Sequence, residues 1–161
     1  MLARLNWPKG GRMSEQVKIV RRAVRQFAQE FVENPYLCYT DYGLHALFYT
    51  RLYNALPRKM RYDKWQGQEV CLIQKEYATA TALGKSQRQH WDIAVLKAPL
   101  SAIPDCDALP YDCFQLAAAV EFGLNETKKH LVEDVRRLEH EDANVEEGFI
   151  LHLYRLSNPG D

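Results

Sequence analysis

Val17, Val20, Val24, Phe27 and Phe31 recur at intervals of three and four, which gathers them on one stripe of a helix spanning residues 14–34. Ser14 is placed to cap this helix, and Pro35 stops it because the residue before a proline avoids helical geometry. The same period returns in Leu44, Leu47, Phe48, Leu52, Ala55 and Leu56. It predicts a second helix over residues 41–56, with Thr40 or Asp41 as its cap and Pro57 as its stop. The pattern then changes. Residues 68–79 are rich in strand formers (Val70, Leu72, Ile73, Tyr77), and the short apolar runs His90–Leu96 and Leu116–Leu124 read as buried strands. A turn region around Gly84-Lys85-Ser86 separates the first two strands, and a long loop punctuated by Pro99, Pro104 and Pro110 separates the next two. A charged amphipathic helix over residues 126–142 follows. Leu131, Val135 and Leu138 face inward on it, and Glu133 is set to pair with Arg137 one turn on. Residues 149–156 form the last strand.

These elements predict an α/β domain built on a small mixed four-stranded sheet in the order α-β-β-β-α-β. Three strands are antiparallel, a crossover helix leads to a parallel fourth, and an extra N-terminal helix flanks the sheet. Residues 1–12, with Pro8-Lys9-Gly10-Gly11, read as a loose leader, with Met13 placed to serve as a start, and residues 13–161 as a single domain.

At 161 residues and 47% apolar content the chain can bury a core without staples. Lys plus Arg and Asp plus Glu both number 21, so no global charge draws it to nucleic acid or anionic lipid. Any nucleic-acid surface must be local, and the one basic cluster is Arg58, Lys59, Arg61 and Lys64, interleaved with Tyr62 and Trp65 in what reads as a connecting loop. No apolar stretch approaches the ~20 residues that span a bilayer. Cys38, Cys71, Cys106 and Cys113 are scattered without a C-x-x-C pair, the usage of a reducing cytoplasm. Zinc at Cys106 and Cys113 is disfavoured by their spacing.

Two acids interrupt the buried strands: Asp92 in His90-Trp91-Asp92-Ile93-Ala94-Val95-Leu96, and Glu121 in the Leu116–Leu124 run. A carboxylate in such a setting needs a cation, a hydrogen-bond donor or a proton. Alternation puts Asp92 with Ala94 and Leu96, and Glu121 with Ala119 and Gly123. If the strands are neighbours the two carboxylates converge, and an oxygen-only donor set suits magnesium or manganese. The same spacing leaves a second arrangement open, in which one acid sits at a solvated strand end and the other pairs with a basic side chain.

A strand, an Asp-headed strand, a Glu-bearing strand, then a helix and a strand resembles the PD-(D/E)xK nuclease superfamily, the restriction-endonuclease-like fold, over roughly residues 41–156. The resemblance implies a divalent-metal-dependent phosphodiester hydrolase acting on DNA. Asp92 and Glu121 would be its metal ligands and catalytic acids, and pairing of two copies would be a common arrangement. Gln74-Lys75-Glu76-Tyr77 is similar to the strand that precedes the Asp strand in many members, and Asp41 resembles the acid supplied by their first core helix. Trp91 stands where the family name has Pro, and Gly123 stands where the motif lysine belongs. The missing ammonium is expected from another element, Lys128 or Lys129 at the start of the following helix or Lys75 on the adjacent strand. The alternative is a nuclease-like domain without catalysis, kept as a protein-interaction or nucleic-acid-binding module. His45, His130, His140 and His152 show no metal-ligand spacing among themselves, and His90 reads as a turn residue, with orienting water or phosphate as the alternative.

Overall fold

The computed structural model describes residues 2–4, 13–80, 88–102 and 113–155. The turn expected at Gly84-Lys85-Ser86 lies outside them, as do Pro104, Cys106 and Pro110. Helix α1 (Glu15–Glu33) begins at Ser14, whose hydroxyl accepts the Val17 N–H, and buries all five residues of the expected stripe. Helix α2 (Asp41–Ala55) is capped by Thr40, which accepts the Gly43 N–H at 3.0 Å. Its buried face is Leu44, His45, Phe48 and Leu52, so a histidine stands where the apolar pattern skipped a position.

The basic connection has more structure than a loop. It is a short helix α3 (Arg58–Arg61) followed by a hairpin, β2 (Tyr62–Trp65) and β3 (Gln68–Cys71). Gln66 and Gly67 both have positive φ, as a two-residue turn matched to strand twist requires. The segment read as one strand over 68–79 is therefore two, β3 and β4 (Ile73–Ala78), with buried Leu72 as the break. Leu72 donates to the carbonyl of Arg61, the last residue of α3, and accepts from the Leu96 N–H of the main sheet, so this one residue bridges the two.

The main sheet contains β4, β5 (His90–Leu96), β6 (Leu116–Leu124) and β7 (Val145–Leu153) in that spatial order, with β4–β5 and β5–β6 antiparallel and β6–β7 parallel. Helix α4 (Lys128–Leu138) makes the crossover between the parallel pair. It is shorter than expected. Thr127 caps it, and after Leu138 the chain turns through a 3-10 segment (Glu141–Ala143) to the left-handed Asn144. Three residues of the segment expected to be loose, Leu2–Arg4 (β1), pair antiparallel with Phe149–Leu151 on the outer edge of β7.

The sheet has a core on each face. Under α1 and α2 lie Phe27, Phe48, Ile93, Val120, Phe122 and Leu151, with three edge-on aromatic contacts among Phe27, Phe48 and Phe122. Under α4 and the hairpin lie Trp91, Ala119, Leu138, Val145 and Ile150. Arg21 grips both oxygens of Glu147 at 2.6 Å and ties α1 to β7. Arg155, just past β7, closes the other end by donating to the carbonyls of Pro35, Cys38 and Tyr39 in the α1–α2 connection. Among the described residues no helix is long and apolar enough to cross a membrane. Cys38 and Cys71 are free, as expected, but Cys113 is disulfide-bonded, which departs from uniformly reduced cysteines and removes its thiolate from any zinc site.

Candidate metal and charge centre

β5 and β6 stay paired only as far as Ile93 opposite Val120. One residue further out Asp92 stands where the next rung would be, and its Oδ2 accepts the Phe122 N–H at 2.7 Å. A side chain thus replaces a strand as the partner of that peptide, and the sheet opens at this point. The Glu121 carboxylate is 3% exposed and lies in hydrogen-bonding contact with Asp92. The structure brings together the two acids singled out from the sequence.

Burial raises the proton affinity of Glu121 well above the usual carboxylate range, and the Asp92 charge raises it further. Arg137 of α4 opposes this with a guanidinium nitrogen 2.6 Å from Oε1, yet does not reverse it. Arg137 also holds Asp134 Oδ1 at 2.9 Å and lies over the Trp91 ring. The expected Glu133–Arg137 pair is therefore absent. Arg137 turns inward to two buried carboxylates, whose field in a low-dielectric site exceeds that of a solvated glutamate, and Glu133 pairs with Lys129 instead.

From the opposite face α2 contributes Asp41 and His45. The cap at Thr40 fixes the first turn, and one turn later His45 Nε2 lies 3.2 Å from Asp41 and 3.7 Å from Asp92 Oδ2, with Nδ1 3.9 Å from Glu76. Glu76 is an exposed residue in a left-handed backbone conformation on β4. Burial of His45 disfavours its charged form, but contact with Asp41 and the charges of Asp92 and Glu76 outweigh it, so its proton affinity is raised. Asp41 is correspondingly lowered, chiefly by His45. His45, Glu76 and Asp92 offer one ligand atom each within 4.8 Å of one another, a group able to hold a cation.

Gly123 has a steric reason. A Cβ there would come within 2.8 to 3.0 Å of the His152 ring, which β7 places directly across the parallel ladder. The space that a side chain at position 123 would occupy is taken by imidazole. Among the described residues neither Lys75 nor Lys128 forms an ion pair with Asp92 or Glu121. Lys75 is exposed on β4 and Lys128 is exposed in the first turn of α4, where Lys129 is also exposed. His90 is exposed at the start of β5. At the far end of the sheet a cleft of ≈ 440 Å³, lined by Lys97, Gln115 and Asn144 among others, contains none of these acids.

Of this centre, sequence reasoning found Asp92 and Glu121 and noted Asp41, Glu76 and Lys75. It gave His45, His130 and His152 no metal-ligand role, set Arg137 to pair with Glu133, and passed over Asp134. The signals were present: Asp41 and His45 are four apart, as are His130 and Asp134, and His152 interrupts an apolar strand run as Asp92 does. Compared with protein-family models, with curated proteins and with solved structures, the chain matches none.

Proposed function

We propose that this chain is a divalent-metal-dependent phosphodiester hydrolase of the restriction-endonuclease-like fold, acting on DNA. The observation that carries the reading is the buried contact between Asp92 and Glu121 where β5 leaves β6. Two carboxylates held together make a site short of positive charge, which Arg137 only partly supplies. The donor set fits magnesium or manganese: oxygens from Asp92 and Glu121, with Glu76 and Asp41 alongside. Such an ion, when bound, lowers the pKa of a coordinated water and neutralises charge on a phosphoryl oxygen. The chain's own part is positional. Asp92 is locked by the Phe122 peptide and Glu121 by Arg137, while His45, among three acids, is poised to donate a hydrogen bond or carry a proton. Lys75 or Lys128 from the rim would supply the ammonium that position 123 lacks.

Tyr36, Tyr39 and Tyr42 support a nucleic-acid substrate. They are 55, 79 and 75% exposed on the α1–α2 connection and the first turn of α2, and the Tyr42 ring lies 6.0 Å from that of His45. Exposed aromatics beside a phosphate-handling site are stacking surfaces for bases. The basic cluster contributes less, since Arg58 pairs with Glu69 and Arg61 lies over Tyr53. A homodimer cutting two strands and a cytoplasmic location belong to the same reading. The free thiols of Cys38 and Cys71 support that location and the disulfide at Cys113 opposes it.

One observation favours a second reading, a nuclease-like module that binds without cleaving. Glu121 already has a cation at 2.6 Å, and His152 fills the place of the motif lysine. Incubation with supercoiled, linear and single-stranded DNA plus magnesium or manganese decides between them, with Asp92→Ala and Glu121→Ala proteins alongside. Cleavage by the wild type that both variants lose supports the hydrolase. No cleavage of any substrate, or cleavage that persists in both variants, overturns it.

A further inference from the structure

On the α4 side, His130, Asp134 and His152 offer one ligand atom each within 4.8 Å of one another. We propose that these three side chains form a separate binding site for a borderline divalent transition ion of the zinc class. The donors are two imidazoles and one carboxylate, the set that zinc, cobalt and ferrous iron take with a coordination position left for water. It differs in chemistry from the oxygen-rich pair Asp92 and Glu121, and it does not depend on the hydrolase reading.

Asp134 is 1% exposed and its two oxygens have separate tasks. Oδ1 is held by Arg137 at 2.9 Å, whereas Oδ2 faces His152 Nε2 at 3.2 Å. Arg137 therefore orients the carboxylate from behind, as partners outside the ligand set do in metal sites, and an ion would take the place of the hydrogen bond between Oδ2 and His152 Nε2. His152 is 1% exposed and rigidly placed, with its ring against the bare Cα of Gly123. His130 is the adjustable member. Its side chain is 40% exposed, its ring centroid is 5.5 Å from that of His152, and its Nε2 is 3.8 Å from Asp134 Oδ1. Ligand bonds near ~2.1 Å place donor atoms on one ion at most ~4.2 Å apart. A modest rotation of His130 closes the set, and its exposed edge is the entry path. The Glu126 carboxylate lies 3.9 Å from His130 Nδ1, and Asp41 interacts electrostatically with His130 and His152.

The test is a titration of the chelator-stripped full chain with zinc by calorimetry and with cobalt by visible absorption. The His130→Ala, Asp134→Asn and Asp92→Asn proteins are run in parallel, with circular dichroism to check folding. The wild type is expected to take up zinc with a cobalt spectrum of nitrogen and oxygen ligation, and the Asp92→Asn protein separates this site from the group of His45, Glu76 and Asp92. His130→Ala, a half-exposed position that folding tolerates, should weaken that binding at least ~10-fold, the loss seen even for partners behind the ligands. Asp92→Asn should leave it within about twofold, and if Asp134→Asn fails to fold, His130→Ala alone decides. No zinc uptake at one hundred micromolar (roughly the range of weak sites), or a loss on Asp92→Asn but not on His130→Ala, overturns the site. Neither result bears on magnesium-dependent cleavage, which the Asp92→Ala and Glu121→Ala comparison reads separately.

Discussion

Arg137 ties β6 to α4, because it pairs with both Glu121 and Asp134 while lying on Trp91. Removing one member of a buried charge group leaves the others uncompensated. Arg137→Ala is therefore expected to cost about 3–5 kcal/mol in denaturant unfolding, against about 1 kcal/mol or less for a typical exposed pair such as Arg58 with Glu69. Gly123→Ala tests the close approach of the neighbouring strand. Its Cβ would meet the His152 ring at 2.8 Å, and the buried ring has little room to retreat, so a loss of about 1–3 kcal/mol is expected in the same assay. Asp92 and Glu121 were legible in the sequence because each lies inside a short apolar run. His152 lies in a similar run, Phe149-Ile150-Leu151-His152-Leu153, and a uniform rule for buried polar residues finds all three. Arg137 was not legible. Its i,i+4 spacing from Glu133 pointed outward, and only the tertiary contact with β6 shows that it turns in.

The secondary elements were read best where one period dominates. The α1 stripe, the α2 cap and the bounds of β5 and β6 follow from spacing, a hydroxyl at the cap and short apolar runs. The hairpin was missed because Tyr62–Trp65 is as charged as a loop, and its sole strong signal is the Gln66-Gly67 turn. The β3–β4 break was missed because Leu72 is a good strand former; at the break its N–H bonds to the end of α3 and its carbonyl to the main sheet, which no local pattern encodes. Cap and site are linked in α2. Thr40→Ala should cost about 1 kcal/mol by thermal melting. Because Asp41 and His45 occupy the turns that this cap fixes, it should also broaden the His45 ring signals in proton NMR, whereas Thr127→Ala, at the other helix, should leave them sharp.

For the whole molecule the buried charges set a direction for pH dependence. Glu121 binds its proton more tightly folded than unfolded, so its contribution is full below the ordinary carboxylate value of ~4.3 and lost as pH rises through its folded value. His45 acts in the same sense, with its contribution full below ~6.5 and lost above its raised value. Asp41, lowered by His45, contributes above ~3.9 and loses that contribution as pH falls. The metal-free protein should be most stable in mild acid, and its melting temperature should fall between pH 5 and pH 9. Glu121→Gln should flatten the part of that fall that begins above pH 5. Manganese should raise the melting temperature more at pH 8 than at pH 5, because at the lower pH it must displace a proton, and a rise equal at both would contradict ligation by Glu121. The mixed sheet with its crossover helix was legible at this scale, since three antiparallel strands, a helix and one more strand leave few right-handed connections. The convergence of α2 and α4 on one end of the sheet was not legible, because it depends on which strand faces which helix. The Gly123–His152 contact also bears on how this chain can change over generations. The constraint runs one way: a side chain at 123 needs a smaller residue at 152, so sister sequences that keep a histidine at 152 should also keep a glycine at 123.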